Sequence, residues 1–186
     1  MDKLKVYVAG KVSPNSIFGT HDWRDSFCGR LSEIIGIKII NLDPTKSDKM
    51  FDLDENNTRL IFGRDCYMIK SADIVIVNLT DDISVGGSQE MLIAKYFSKP
   101  LIGISPRNGK FNKEEKEILG KVYKNWVHAF VHIPCDALAE NIDEVAVHIK
   151  KIISSNDLSI KSLSIIDENI KYYLKNHYHL DKSLHY

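Results

Sequence analysis

The sequence predicts an α/β fold: a single-domain doubly wound sheet of about five parallel strands in the order 2-1-3-4-5, with helices on both faces. Short runs of β-branched residues alternate with segments of helical period, which is the pattern of parallel strands joined by right-handed crossovers. The length of 186 residues suits one hydrophobic core better than two. Periodicity and length together therefore predict the fold class.

The predicted strands are short apolar runs bounded by Gly, Asp, Pro or Ser. They cover residues 4–9, 37–41, 74–79, 100–104 and 128–133. The carboxyl ends of these strands should meet at one edge of the sheet, because parallel strands share a direction.

Helices are predicted between the strands, at residues 22–35, 58–71, 89–98, 113–126 and 138–153. Asn112 and Glu115 have the spacing of a capping box for the fourth of these helices. Asp136 is placed to accept a hydrogen bond from the first turn of the fifth.

The chain ends in a further amphipathic segment, whose apolar residues recur at helical spacing: Ile160, Leu163, Ile166, Ile170, Tyr173 and Leu174. We therefore predict two units, an α/β domain over residues 1–155 and an extra C-terminal helical extension over residues 156–186. The extension is expected to pack on the domain or on a partner subunit.

The composition is that of an ordinary globular protein, with 25 Lys and Arg against 25 Asp and Glu. The absence of a basic surplus argues against binding to a nucleic acid polymer. No apolar run approaches the roughly 20 residues that span a bilayer, and the N-terminus lacks the apolar core of a signal peptide. We expect a cytoplasmic protein without membrane contact, whose partner is a small molecule or a protein.

Patterns that resemble metal sites are weak, and no metal or cofactor is expected. The three cysteines contain no C-x-x-C pair, which favours neither a disulfide framework nor a zinc site. Asp52 and Asp54 imitate the start of a calcium loop, but Gly63 stands where that loop requires Glu. His128 and His132 would lie roughly 13 Å apart on a strand, too far to share one ion.

The location of a ligand site follows from the strand order. In open α/β sheets ligands bind beyond the carboxyl ends of the strands where the order reverses, here between the first and third strands. The loops at that point are residues 10–22 and 80–88. The first opens with Gly10 and Lys11 and has neither the dinucleotide fingerprint nor a P-loop, which disfavours ordinary dehydrogenases and NTPases.

The second loop leads into the third helix through four small residues, Ser84, Gly86, Gly87 and Ser88. Their backbone N–H groups and hydroxyls can approach an oxyanion at a helix N-terminus. Glu90 is expected in the first turn, on the inward stripe of this helix with Ile93, Ala94 and Phe97. A carboxylate there either takes part in catalysis or stabilises the helix by capping its N-terminus or interacting with its dipole, and both interpretations stay open at this point.

Asp65 is a second carboxylate on an apolar stripe, which it shares with Ile61, Met68, Ile69 and Ala72. It either faces a cleft or is paired with Arg64, Lys70 or a backbone cap. Two inward carboxylates indicate separate acid and nucleophile roles, because burial raises one pKa while a helix N-terminus keeps the other group ionised.

Two aromatic residues lie near the first loop. Tyr7 alternates with Val6 and Val8, so it is a candidate for the core. Trp23, beside His21, either packs in the core or stacks on a planar base.

These residues resemble the nucleoside 2-deoxyribosyltransferase superfamily, which also contains the nucleoside 5'-monophosphate N-glycosidases. The resemblance rests on Tyr7-Val8-Ala9-Gly10 at the end of the first strand, Asp65 eight residues before Asp73, and the turn of residues 86–90. It continues to Pro100 and covers about residues 4–105.

The resemblance implies a catalytic set. Glu90 would attack the anomeric carbon and form a glycosyl-enzyme, Asp65 would protonate the departing base, and Tyr7 would position Glu90 or the sugar. It also implies a homodimer or a larger homo-oligomer, because members of the superfamily usually complete the site with a residue of a neighbouring subunit.

The substrate is indicated by Ser84, six residues before Glu90. Transferases of the superfamily commonly have Asp at that position and monophosphate hydrolases commonly have Ser. A hydroxyl tolerates a phosphate that a carboxylate repels, so Ser84, Gly86 and Ser88 favour a 5'-phosphate, with Gly10, Lys11, Trp23 and Gly87 as further candidate substrate contacts. A small shift of the loop could bring Asp81 or Asp82 to the position that Asp occupies in the transferases.

Three functions are compatible with the sequence. The favoured one is hydrolysis of a nucleoside 5'-monophosphate to a free base. The alternatives are a 2-deoxyribosyltransferase that exchanges bases and a nucleotide-binding sensor without catalysis.

Overall fold

The computed structural model describes residues 2–11, 23–47, 54, 56–154 and 159–184. The strands in these residues are β1 (Lys3–Ala9), β2 (Lys38–Asn41), β3 (Ile74–Asn78), β4 (Leu101–Ile104), β5 (Asn112–Ile118), β6 (Lys121–Val127) and β7 (Ala137–Ala139). The helices are α1 (Trp23–Ile35), α2 (Thr58–Ser71), α3 (Val85–Tyr96), α4 (Ala129–His132), α5 (Ile142–Ser154) and α6 (Ser164–Asn176).

Five of the strands form one parallel sheet in the order β2-β1-β3-β4-β7. The predicted doubly wound α/β fold is therefore confirmed. Because β1 lies between β2 and β3, the direction in which the sheet grows reverses at β1. The carboxyl ends of β1 and β3, paired through Tyr7 with Val75 and Ala9 with Val77, border the crevice at this point.

The sheet is covered on both faces, and side chains alternate between them along each strand. Val6 and Val8 of β1 pack with the buried residues of α1 and α5. Tyr7 and Ala9 of the same strand pack with the buried residues of α2 and α3. The alternation therefore directs Tyr7 toward α2 and α3, the helices that carry the two candidate carboxylates.

The helix predicted for residues 113–126 is wrong, because β5 and β6 form an antiparallel hairpin there. The hairpin turns at Leu119 and Gly120, whose φ angles of +51° and +75° match a two-residue hairpin turn and end any helix. Cross-strand contacts replace the expected helical ones: Glu115 lies opposite Lys124, and the Lys116 ammonium lies 3.5 Å from the centre of the Trp126 ring. Asn112 therefore begins a strand and caps no helix.

The strand predicted for residues 128–133 is also wrong. His128 closes the base of the hairpin through a 2.9 Å bond from its backbone N–H to the Phe111 carbonyl, and the chain then makes the single helical turn α4. The fifth strand of the sheet is β7, which pairs with β4.

Asp136 does not cap the helix that follows β7. Its Oδ2 accepts a 2.7 Å hydrogen bond from the backbone N–H of Leu101 and pairs with the buried Lys95 ammonium. Asn141 performs the capping role, because its Oδ1 accepts from the backbone N–H of Glu144 at 3.0 Å.

The amphipathic C-terminal segment forms α6, as predicted. Within the described ranges, no helix combines the length and apolar character needed to cross a membrane. The expectations for His21, for Asp52 and for the first loop beyond Lys11 fall outside the described residues.

Candidate active site

A hydrogen bond between the first strand and the third helix defines the candidate site. The Tyr7 hydroxyl donates to Glu90 Oε1 at 2.7 Å. Tyr7 is fully buried in β1, so the sheet fixes the position of its ring. Burial and the neighbouring Glu90 carboxylate raise the pKa of the Tyr7 hydroxyl above its ordinary value, so Tyr7 remains a proton donor in this bond.

Glu90 lies in the second turn of α3, and the expectation of a first-turn position was wrong. Its capping role is also excluded, because the N-cap of α3 is Ser84, whose Oγ accepts from the backbone N–H of Gly87 at 3.0 Å. The carboxylate instead bonds to Tyr7. Glu90 therefore does not interact with the N-terminus of α3, which was one of the two interpretations that the sequence left open.

The environment of Glu90 raises its pKa above the ordinary value. Burial is the largest cause, and the neighbouring Asp65 acts in the same direction. The hydrogen bond from Tyr7 and the charge of Arg24 act against this rise. Glu90 is thus a partly desolvated carboxylate held by one donor, which is a suitable state for a nucleophile.

Asp65 faces the same cleft as Glu90. The cleft has a volume of about 280 Å³ and lies between α2 and α3, with walls formed by Ile61, Phe62, Asp65, Cys66, Glu90 and Ile93 among others. Arg64 Nη1 lies 4.0 Å from Asp65 Oδ1, but Arg64 also donates to the Pro44 carbonyl at 2.9 Å. The structure therefore brings both predicted carboxylates to one cavity.

Several residues that line the cleft were not among the predicted site residues, and three of them bear on its chemistry. Phe62 is exposed on α2, three residues before Asp65, and offers an aromatic wall. Gln89 lines the cleft beside Glu90. Burial, Asp65 and Glu90 raise the pKa of the Cys66 thiol, so it stays protonated and does not compete as a nucleophile. Only the apolar spacing of α2 could have indicated the positions on that helix.

The small residues at the start of α3 lie beside the carboxylate. A Cβ added to Gly86 would stand 3.9 Å from Glu90 Oε1, and one added to Gly87 would meet Ser84 Oγ at 3.2 Å. The Ser88 hydroxyl donates to the Val85 carbonyl at 2.8 Å. Of the four small residues, Gly86 therefore approaches the carboxylate most directly and also lines the cleft.

Gly10 and Lys11 lie at the carboxyl end of β1. Gly10 has φ +151°, a backbone conformation that residues with a side chain rarely adopt, and a Cβ there would make a tight 3.1 Å contact with the Asn78 Cβ. Asp82 binds Lys11 Nζ at 3.1 Å and Lys110 Nζ at 2.6 Å. The bonds from Lys110 and Lys11 hold the pKa of Asp82 below its ordinary range, so Asp82 is an ionised partner of two lysines.

Trp23 does not line the cleft, which corrects its assignment as a substrate contact. It is 0% exposed and packs on the α1 and α5 side of the sheet. Its neighbour Arg24 was missed: Nε donates to the Val8 carbonyl at 2.9 Å and Nη2 to the Gly10 carbonyl at 2.7 Å. Arg24 thereby fixes the end of β1 and places a buried positive charge near Glu90.

His128 and His132, which were expected on a strand, lie at the end of the hairpin and in the helical turn that follows it. His128 contacts the rings of Phe111, Trp126 and Phe130, and His132 ends α4. Within the residues that the structure describes, no group of three His, Cys, Asp or Glu side chains is placed to hold a metal ion.

Comparisons with known proteins show the fold. No protein-family model and no curated protein matches the chain. A conserved protein from Enterococcus faecalis V583 is similar over 81% of this chain and 99% of its own, with 13% identity and a TM-score of 0.54. The 2-deoxyribosyltransferase of Bacillus psychrosaccharolyticus is similar over 76% of this chain and 90% of its own, with 17% identity and a TM-score of 0.48. A Clostridium botulinum CMP N-glycosidase is similar over 78% of this chain and 98% of its own, with 14% identity and a TM-score of 0.40.

Proposed function

We propose that this protein is a nucleoside-processing N-glycosidase, which cleaves the N-glycosidic bond of a ribo- or deoxyribonucleoside 5'-monophosphate and releases the free base. The observation that carries the proposal is the 2.7 Å bond from the Tyr7 hydroxyl to Glu90 on a cleft that Asp65 also lines. This set of residues matches the superfamily whose motifs residues 4–105 resemble.

Glu90 is the nucleophile in the first step. Its carboxylate attacks the anomeric carbon, an ester bond forms to the sugar, and the bond from that carbon to the base nitrogen breaks with its electron pair leaving on the base. Tyr7 holds one carboxylate oxygen, which leaves the other free to attack. Partial burial of Glu90 strengthens the attack, because less solvent must be removed from the carboxylate.

Asp65 is the general acid. It enters the reaction protonated and gives its proton to the departing base nitrogen, so the base leaves as a neutral molecule. The charge of Asp65 is one cause of the raised pKa of Glu90, so a protonated Asp65 makes it easier for Glu90 to be ionised in the same cleft.

Water completes the hydrolysis. Asp65, now ionised, takes a proton from a water molecule, whose oxygen attacks the anomeric carbon and releases the Glu90 carboxylate. The products are the free base and the sugar 5'-phosphate, and the enzyme returns to its starting state. In the transferase alternative a second base attacks in place of water.

The start of α3 supports a phosphorylated substrate. Ser84 places a hydroxyl at the N-cap, where the helix dipole favours an anion, and Gly86 leaves the adjoining wall of the cleft open. Asp82, one of the two carboxylates that could take the Asp role of the transferases, is held by Lys11 and Lys110. A 5'-phosphate at this position would therefore contact the Ser84 hydroxyl. Asp82 would repel it little, because the two lysines neutralise the charge of that carboxylate.

Chromatography of free base after incubation with nucleosides and 5'-monophosphates tests this function. The wild type should release base from monophosphates without an acceptor, Glu90→Ala should release none, and Tyr96→Ala, on an exposed part of α3, should match the wild type. A new nucleoside that appears only with a second base would establish the transferase. Nucleotide binding without any product would establish the sensor and reject catalysis.

A further inference from the structure

A second cavity lies on the other side of helix α3 from the candidate active site. Ser88 and Met91 of α3 line this cavity, whereas Gly86 and Glu90 of the same helix line the cleft. The base of the β5–β6 hairpin and the short helix α4 form the opposite wall. The volume is about 500 Å³, which falls in the range of small-molecule sites, roughly 300–1,000 Å³.

The interior of the second cavity is apolar and its mouth is aromatic. Met91 and Val131 are buried in its walls, and Phe111 beside them is also buried. Phe130 lines the same cavity but is 84% exposed. An exposed aromatic ring at the edge of an apolar cavity offers a face on which a planar ligand can stack.

His128 contributes a polar atom that has no use in the described structure. Its ring packs nearly perpendicular to the rings of Phe111 and Trp126. Nδ1 is buried and has no hydrogen-bond partner among the residues that the structure describes. Buried polar atoms are nearly always bonded, so an unbonded one in the wall of a cavity indicates a polar atom of an occupant. Ser88 and Gln89 place a hydroxyl and an amide on the α3 wall of the same cavity.

The charges of the second cavity favour a neutral ligand. Lys110 Nζ donates to Asp82 Oδ1 at 2.6 Å, so these two charged groups are paired with each other. Apart from His128, the described lining residues include no other ionisable side chain. An anionic ligand would have to compete with Asp82 for Lys110. A neutral heterocycle whose edge carries both N–H and acceptor groups can bond to Nδ1 in either tautomer of the imidazole.

We propose that the second cavity binds a neutral planar nitrogen heterocycle of the size of a nucleobase. Phe130 stacks on the face of the ring, and His128 Nδ1 bonds to its edge. Among the described lining residues, only Gln89 is common to this cavity and the cleft, so the ligand is a molecule additional to the one that Glu90 faces. The proposal requires binding and no turnover, and it is therefore independent of the reaction proposed for Glu90.

NMR spectroscopy of the full chain labelled with [13C]methyl methionine tests the proposal, with adenine as the probe. The Met91 methyl group lines the second cavity, and Met91→Leu identifies its resonance. Adenine should shift this resonance in a saturable way. Indene has the shape of a purine without its nitrogen atoms and should bind at least tenfold more weakly. Adenosine 5'-monophosphate should bind no more tightly than adenine, because its phosphate finds no free cation.

Three variants locate the binding. Phe130→Ala should weaken adenine binding, measured at Met91, by roughly tenfold or more, because the stacking face is lost. His128→Phe keeps an aromatic ring in place and should weaken it by roughly threefold to tenfold, the loss of one hydrogen bond. Phe62→Ala is the matched control, since Phe62 is also an exposed aromatic residue but lines the cleft. It should bind adenine at Met91 like the wild type.

The outcomes that overturn the proposal are distinct from a failure of the proposed reaction, because each is a binding result. A Met91 resonance that adenine does not shift would exclude the site. So would a shift that persists unchanged in Phe130→Ala or is lost in Phe62→Ala. Wild-type affinity in His128→Phe would exclude the bond to Nδ1, and indene bound as tightly as adenine would exclude recognition of a heterocycle. Tighter binding of the monophosphate would exclude a neutral ligand.

Discussion

The Tyr7 hydroxyl and Glu90 Oε1 are 2.7 Å apart, although 83 residues separate them in the chain. Tyr7 belongs to a central strand of the sheet and Glu90 to the second turn of α3, so the hydrogen bond joins a rigid element to the carboxylate that is proposed to react. The bond both orients Glu90 and opposes the rise in its pKa that burial causes. Removing the hydroxyl should therefore change the chemistry more than the fold.

Tyr7→Phe should lower kcat/KM by about 10- to 100-fold, the usual loss for one hydrogen bond to a charged group. The Tyr7 bond lowers the pKa of Glu90, so its loss should shift the acid limb of the pH profile to higher pH. Tyr67→Phe, at an exposed position of α2, is the control and should leave the profile unchanged. An unshifted acid limb in Tyr7→Phe would contradict the role assigned to this bond.

Asp65→Asn should slow base release by about 100-fold or more, because the leaving base would receive no proton. The defect should largely disappear with an N7-methylated purine nucleotide, whose base departs neutral without protonation. Steady-state rates on the two substrates measure this difference. Asp143→Asn, at the exposed first turn of α5, should behave as the wild type on both. An equal loss on both substrates would exclude Asp65 as the general acid.

Ser84→Asp should weaken the preference for monophosphates over nucleosides while preserving the fold. Asp is as good an N-cap as Ser, so helix α3 should keep its start and the free energy of unfolding should change little. The new carboxylate should repel a 5'-phosphate and lower the ratio of kcat/KM for monophosphate over nucleoside. Ser84→Asn supplies a neutral cap of the same shape and should retain the preference. If Asp and Asn variants gave the same ratio, Ser84 would not face the phosphate.

Glu90→Gln should be more stable than the wild type at neutral pH. The folded protein raises the pKa of Glu90, so this group favours folding only where it is protonated and costs stability once pH exceeds its folded pKa. The glutamine avoids that cost and can still accept from Tyr7. Urea denaturation should show the advantage at pH 7 and its loss below the ordinary pKa of glutamate. An advantage that is constant with pH would contradict the burial of an ionised Glu90.

The parts of the structure that could be predicted from the sequence are those in which apolar residues recur at the spacing of a strand or a helix. The alternation of Val6, Tyr7 and Val8 and the stripes around Asp65 and Glu90 are properties of neighbouring residues, so they predicted which side chains share a face. Their meeting in one cleft follows from strand order, which α/β connectivity restricts.

The failures share a physical cause, which is dependence on turn geometry and packing contacts that the periodicity of apolar residues does not encode. Residues 113–126 contain good helix formers, yet the turn at Leu119 and Gly120 and the pairing across the hairpin determine their structure. Trp23 was assigned to the pocket because it follows the first loop, but its side of α1 faces the core. Arg24 binds backbone carbonyls, a role that has no sequence pattern.

Mass spectrometry of the trapped intermediate tests the central claim most directly. A 2'-deoxy-2'-fluoro nucleoside 5'-monophosphate should slow hydrolysis of the glycosyl-enzyme, so the intact protein should gain the mass of one fluorinated sugar phosphate while an equal amount of base is released. Peptide mapping should place the added mass on Glu90, and Glu90→Gln should acquire none. Label on another residue, or base release without any labelled protein, would contradict the covalent mechanism proposed for Glu90.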